Sequence, residues 1–132
     1  MNQIKDKCPR TTGGNTPLHE AAIKGHTNVY KELMQYSEDK NPRNNEGWIP
    51  LHYAAQEGYL NICEFIMNLL EDKNPMDDEG WTPLHMAAAN LNGRVCKFIA
   101  SQVEDKNPEN YGITPLELWN QESKSEGRQL FN

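Results

Sequence analysis

The stretch Thr16-Pro17-Leu18-His19-Glu20-Ala21-Ala22-Ile23-Lys24-Gly25 decides the fold, because the chain repeats it. Its first four residues return as Ile49-Pro50-Leu51-His52, Thr82-Pro83-Leu84-His85 and Thr114-Pro115-Leu116-Glu117, at spacings of 33, 33 and 32 residues. A second marker keeps the same phase: Asp39-Lys40-Asn41-Pro42, Asp72-Lys73-Asn74-Pro75 and Asp105-Lys106-Asn107-Pro108. A variant, Asp6-Lys7-Cys8-Pro9, stands 33 residues before the first of these. The final unit is therefore one residue short between Pro108 and Thr114. A period of this length means units that cannot bury their apolar face alone and must stack.

Each unit reads as two short helices and a turn-rich connection. Thr16, Thr82 and Thr114 are N-cap residues, each followed by proline at the first helical position, where a missing N–H costs nothing. Leu18 with Ala21-Ala22, repeated as Leu51 with Ala54-Ala55 and Leu84 with Ala87-Ala88, makes a narrow stripe that lets a neighbouring helix come close. Gly25 and Gly58 supply the left-handed residue that ends the first helix. The second helix carries Val29, Leu33 and Met34, then Ile62, Ile66 and Met67, then Val95, Ile99 and Ala100: one buried face. Asn-Pro followed by polar residues and Gly47 or Gly80 is turn chemistry, and predicts a hairpin projecting from the helices.

Composition bounds the function. The chain has 132 residues, 36% of them hydrophobic, and a formal charge of -6; its mean hydropathy is -0.86. That balance argues against a nucleic-acid or membrane-surface role, since phosphate binding needs a basic face. The longest apolar stretch, Phe65-Ile66-Met67-Asn68-Leu69-Leu70, is far too short to span a bilayer. The first residues have no apolar core of a secretory signal. An intracellular chain, cytoplasmic or nuclear, is the expectation.

The Thr-Pro-Leu-His-x-Ala-Ala-x-x-Gly pattern at a 33-residue period resembles the ankyrin repeat family over almost the whole chain. The resemblance implies an all-α-dominated repeat solenoid of stacked helix-turn-helix units with projecting hairpin loops. It divides one domain, 1–132, into an opening hairpin (1–15), three repeats (16–48, 49–81, 82–113) and a C-terminal capping repeat (114–132). Departures from the pattern predict local differences. Ile49 replaces a capping threonine, so Ile49→Thr is expected to raise the melting temperature by restoring a cap. Leu91 stands where Gly25 and Gly58 do, with Gly93 two residues on, which predicts a different inter-helix turn. Glu117 replaces the histidine and Leu118-Trp119 replace the alanines, a slot in which a tryptophan leaves no room for a further standard unit.

The residues that could carry chemistry read as scaffold. His19, His52 and His85 share one phase, but the resemblance implies units stacked about 10 Å apart, which holds imidazoles too far apart to share an ion at roughly 2.0–2.1 Å. Each is expected to bond its own turn and neighbouring backbone, and His26 to lie at the surface. No nucleophile with a base, no paired carboxylates and no phosphate loop stands out; Gly13-Gly14 lacks the Lys-Ser/Thr of a P-loop. No enzyme activity, metal or cofactor is expected. Of the three cysteines, Cys63 and Cys96 occupy matching contexts as buried hydrophobes, while Cys8 is expected to be the exposed, fast-labelling thiol. By resemblance, Asn41, Asn74 and Asn107 fall where the family is sometimes hydroxylated by a 2-oxoglutarate-dependent asparaginyl hydroxylase. Leu33 lies eight residues before Asn41, Ile66 and Ile99 before the other two, and proline follows each asparagine where a small residue is usual.

Function then rests on a surface. The family's geometry implies a concave face made by Asn15, Trp48, Trp81 and Ile113, with Ile23-Lys24, Gln56-Glu57 and Ala89-Asn90, flanked by Glu46, Asp78 and Glu79. Two tryptophans and an isoleucine in consecutive register would form an apolar stripe; exposed tryptophan is over-represented among interface hot spots. Residues 44–90 hold eight acidic residues against Lys73 alone, which points to a basic protein or peptide partner. A monomeric, non-enzymatic protein-interaction scaffold is the leading reading. The alternatives are a regulatory or targeting segment of a larger enzyme or channel, and an inert spacer.

Overall fold

The computed structural model describes residues 10–124. Seven helices lie among them: α1 (Pro17–Lys24), α2 (Thr27–Tyr36), α3 (Pro50–Glu57), α4 (Leu60–Met67), α5 (Pro83–Ala89), α6 (Gly93–Gln102) and α7 (Pro115–Ser123). α1, α3, α5 and α7 stack as one closely packed row, and α2, α4 and α6 form a looser second row. The buried stripes make a continuous core from Leu18 to Trp119. An all-α repeat solenoid is what the period demands, and it is what forms.

Position within the stack explains which repeated residue is wet. Ile62 and Val95 are fully buried against the preceding unit, whereas Val29, in the first unit, is 50% exposed. At the other end Leu116 is 37% exposed while Leu18, Leu51 and Leu84 are buried. The leucine position faces the next unit and the Val29 position the previous one.

The capping threonines behave as their type requires. Thr16 Oγ1 accepts from the His19 N–H, and His19 Nδ1 in turn accepts from the Thr16 N–H at 3.0 Å. Thr82 with His85 and Thr114 with Glu117 repeat the arrangement. The Asp-Lys-Asn-Pro marker has a mechanism of its own. Asp39, Asp72 and Asp105 each accept from the N–H of the asparagine two residues on. Lys40, Lys73 and Lys106 reach back to the last carbonyls of α2, α4 and α6, on Met34, Met67 and Ala100, where a cation meets the negative end of the helix.

Ile49 overturns the expectation attached to it. It is 0% exposed and part of the core, and His52 Nδ1 already accepts its N–H at 3.1 Å. Threonine would remove about two buried carbon groups, at ~0.8 kcal/mol each before any cavity, against a cap of about 1 kcal/mol. Burial wins. Ile49→Thr should therefore lower the melting temperature by a few degrees; a rise in a thermal scan would show that the hydroxyl finds a better place than the ethyl group leaves.

Leu91 also departs from expectation. Instead of building a different turn, it adopts the glycine conformation, φ 56°, and the same bonds close: Asn92 N–H to Ala87 O as Tyr59 N–H to Ala54 O. At the two glycines the neighbouring unit stands close. A Cβ on Gly25 would stand 2.7 Å from the Tyr59 ring, and one on Gly58 2.8 Å from Asn92 Oδ1.

Trp119 lies at the register of Ala21, and Asn120 at that of Ala22, one residue later than expected for Leu118-Trp119. The indole is 2% exposed and packs back onto the third unit. A Cβ on Gly93 would lie 3.2 Å from it, so Gly93 makes room for this ring. Cys63 and Cys96 are buried as expected, with burial pushing both thiols up to about 12. Cys8 lies outside the described residues.

Candidate partner-binding face

The hairpins are closed by a side-chain oxygen at a fixed place. Asn44 Oδ1 accepts from Glu46 N–H and Trp48 N–H at 3.0 and 2.9 Å, and Asp77 Oδ1 from Glu79 N–H and Trp81 N–H at 2.9 and 2.8 Å. Asp77 is thus a buried turn former, not a member of the acidic surface. In the shortened fourth hairpin, Tyr111-Gly112 makes a two-residue loop with both φ angles positive, and Asn110 and Ile113 exchange both backbone bonds. A two-residue loop of this kind needs just such angles.

Successive hairpins are tied into a ribbon. Asn45 N–H donates to Gly13 O and Asp78 N–H to Glu46 O. Arg10 bridges Gly14 O and Arg43 O; Arg43 bridges Gly47 O and Met76 O. The ribbon is then tied to the helices by histidine. His19 Nε2 lies 2.7 Å from Trp48 O, His52 Nε2 2.9 Å from Trp81 O and His85 Nε2 3.1 Å from Ile113 O. With Nδ1 accepting an N–H, each ring is neutral and donates through Nε2. Burial lowers all three, His52 to about 4. The histidines hold the backbone of three of the expected binding residues, which is the structural role assigned to them.

All thirteen expected binding residues are half-buried or exposed. Trp48 lies 4.7 Å from the Tyr53 ring and 5.5 Å from His52, centroid to centroid. Trp81 lies 5.1 Å from His85 and 6.2 Å from Tyr111. Both indoles are half-buried, less exposed than the sequence suggested. Asn15 joins the Trp48 cluster, since Asn44 Nδ2 donates both to its Oδ1 and to Tyr53 Oη. Glu46 and Asp78 meet across adjacent hairpins. Asn90 donates to Met86 O beside Ala89, and the Gln56 carbonyl accepts from Asn92, with Glu57 next to it. Lys24 lies beside Ile23 at the end of α1, in a groove of about 500 Å³ with Arg10, Glu20 and Val29.

Sequence reasoning passed over Tyr53, Met86 and Tyr111. Tyr53 and Met86 share the slot of Glu20, one residue after the histidine, and are half-buried; Tyr111 is 77% exposed. Reading that slot down the repeats would have found the first two. Of the three asparagines, Asn74 is half-buried and donates to Asp105 O, whereas Asn41 and Asn107 are exposed, Asn107 accepting from Leu116 N–H. Among the described residues no group of three or more His, Cys, Asp or Glu could hold a metal ion, and no helix is long and apolar enough to cross a membrane.

Two family models match the chain. The model described as ankyrin repeats (3 copies) matches residues 2–77, and the model described as ankyrin repeat matches residues 79–108. A comparison with curated proteins gives no match.

Proposed function

Because the chain belongs to the ankyrin repeat family, whose repeats generally serve as protein–protein interaction modules, we propose that it is a non-catalytic scaffold holding a partner protein or peptide against the face made by its hairpins and first helices. The observation that carries this reading is the pair of half-buried indoles, Trp48 and Trp81, in identical register on hairpins locked to each other and to the core. A rigid, repeated aromatic surface offers contact area at little entropic cost, which is what an interface anchor needs.

The test is capture of partners from the native cell type, identified by mass spectrometry, with the protein and with a Trp48→Ala/Trp81→Ala variant. Truncating a hot spot costs about 2 kcal/mol or more, roughly thirtyfold in affinity. Partners caught by the parent should be lost from the double variant while helical circular dichroism and cooperative unfolding persist. Retention of the same partners by a folded double variant would place the binding site elsewhere.

Hydroxylation is a separate proposal, with Asn41 first because Leu33, the expected leucine, stands eight residues before it. Intact-mass measurement after incubation with a 2-oxoglutarate-dependent asparaginyl hydroxylase should show a one-oxygen gain that Asn41→Ala abolishes. No gain would end that idea.

A further inference from the structure

We propose that the segment recognised on this face is a cationic peptide in polyproline II conformation, presenting Arg or Lys every third residue. The inference rests on the binding face proposed above and adds the chemistry and spacing of its ligand.

Two modules recur one repeat apart: Glu46-Gly47-Trp48 and Glu79-Gly80-Trp81. Each places an exposed carboxylate two residues from a half-buried indole. Each is held by the same pair of bonds from its Glu and Trp amides to one side-chain oxygen. Asp78, also exposed, adds charge at the second tip. Arg43, on the same hairpin as the first module, is committed to Gly47 O at 2.7 Å and Met76 O at 2.8 Å. An indole beside a carboxylate attracts an alkylammonium or guanidinium group twice over, through the ring quadrupole and through the charge.

The spacing selects the conformation. The modules are locked one repeat apart by the Asp78 N–H to Glu46 O bond of 3.0 Å, and stacked helices lie about 8–10 Å apart. Same-side residues of an extended strand are about 6.6 Å apart at i+2 and 13 Å at i+4. On a helix, side chains three or four residues apart are about 5–6 Å apart. A polyproline II helix turns once every three residues and rises about 9 Å in doing so. It places consecutive cations over consecutive modules, and aromatic-lined grooves suit that preformed helix. A helix with cations at i and i+7, about 10.5 Å apart, is the competitor to exclude.

The probes are three synthetic peptides with equal numbers of arginines: Arg-Pro-Pro-Arg-Pro-Pro-Arg, an alternating Arg-Pro peptide, and a helical peptide with arginines seven residues apart. Binding is followed by tryptophan fluorescence and calorimetry. The three-residue spacing should bind about tenfold more tightly than either control and weaken as salt rises. Glu46→Gln/Glu79→Gln, both exposed and so safe for the fold, should weaken it about fivefold or more. Equal binding of the three peptides, tighter binding of the helical one, no binding at all, or indifference to the glutamine pair would each overturn the inference. The wider reading fails by a different result. A captured partner that depends on Trp48 and Trp81 but lacks spaced cations sinks only the peptide chemistry, whereas one indifferent to the tryptophans sinks the face itself.

Discussion

Moving the protein from pH 7 to pH 5 should remove about 2 kcal/mol of stability through His52 alone, with His19 and His85 adding in the same direction. His52 is 0% exposed. Its Nδ1 accepts the Ile49 N–H and its Nε2 donates to Trp81 O, so a proton on Nδ1 would set two donors against each other. Burial is the main cause that lowers it to about 4, against an ordinary 6.5. Asp77 favours the charged form, and Arg43 and His19 oppose it. The unfolded chain therefore takes up the proton first as pH falls. The contribution is complete above pH 6.5, declines below it, and is gone near pH 4. Urea unfolding at pH 7, 6 and 5 measures it directly. His52→Gln should be less stable at pH 7 yet lose about 2 kcal/mol less than the parent between pH 7 and pH 5. A stability flat across the window would mean that the histidines accept protons in the folded state.

Residues whose reasons are local could be read from the chain. Thr16, Thr82 and Thr114 cap because an N-cap needs only its own helix, and the Asp-Lys-Asn-Pro turn closes on atoms within six residues. What escaped reading depends on partners a repeat away. Leu91 takes up the backbone angle of the glycines it replaces, and the sequence does not show that the obstacle on Gly25 is the next unit's tyrosine. Ile49 looked like a missing cap because its burial is supplied by neighbouring units. Gly93 looked like a displaced helix stop, yet it makes space for Trp119, 26 residues on. The candidate face divides in the same way. Its tryptophans follow from phase, whereas the seating of Trp48 on Tyr53 and the removal of Asp77 from the acidic surface follow from packing.

Gly47→Ala should destabilise the fold by about 3 kcal/mol, while Gly112→Ala, at a nearly identical backbone angle, should cost only about 1–2 kcal/mol. Both glycines have positive φ, 78° and 75°, so a Cβ on either incurs the left-handed strain of about 1–2 kcal/mol. Their surroundings differ. At Gly112 the nearest atom to a Cβ is Glu109 Oε2 at 3.7 Å, ordinary contact. At Gly47 a Cβ would stand 2.2 Å from Asp78 Oδ1 and 2.6 Å from the Asp78 backbone nitrogen. The carboxylate can swing away. The nitrogen cannot, because it donates to Glu46 O within the ribbon. The second and third hairpins must then part, losing that bond at about 1 kcal/mol and pulling on the Arg43 bridge between Gly47 O and Met76 O. The difference between the two variants, read from urea midpoints at pH 7, isolates the hairpin-to-hairpin contact from the strain they share. Equal costs would show that the hairpins are not held as one ribbon. The separation on which the spacing of the two Glu-Gly-Trp modules depends would then be free to vary.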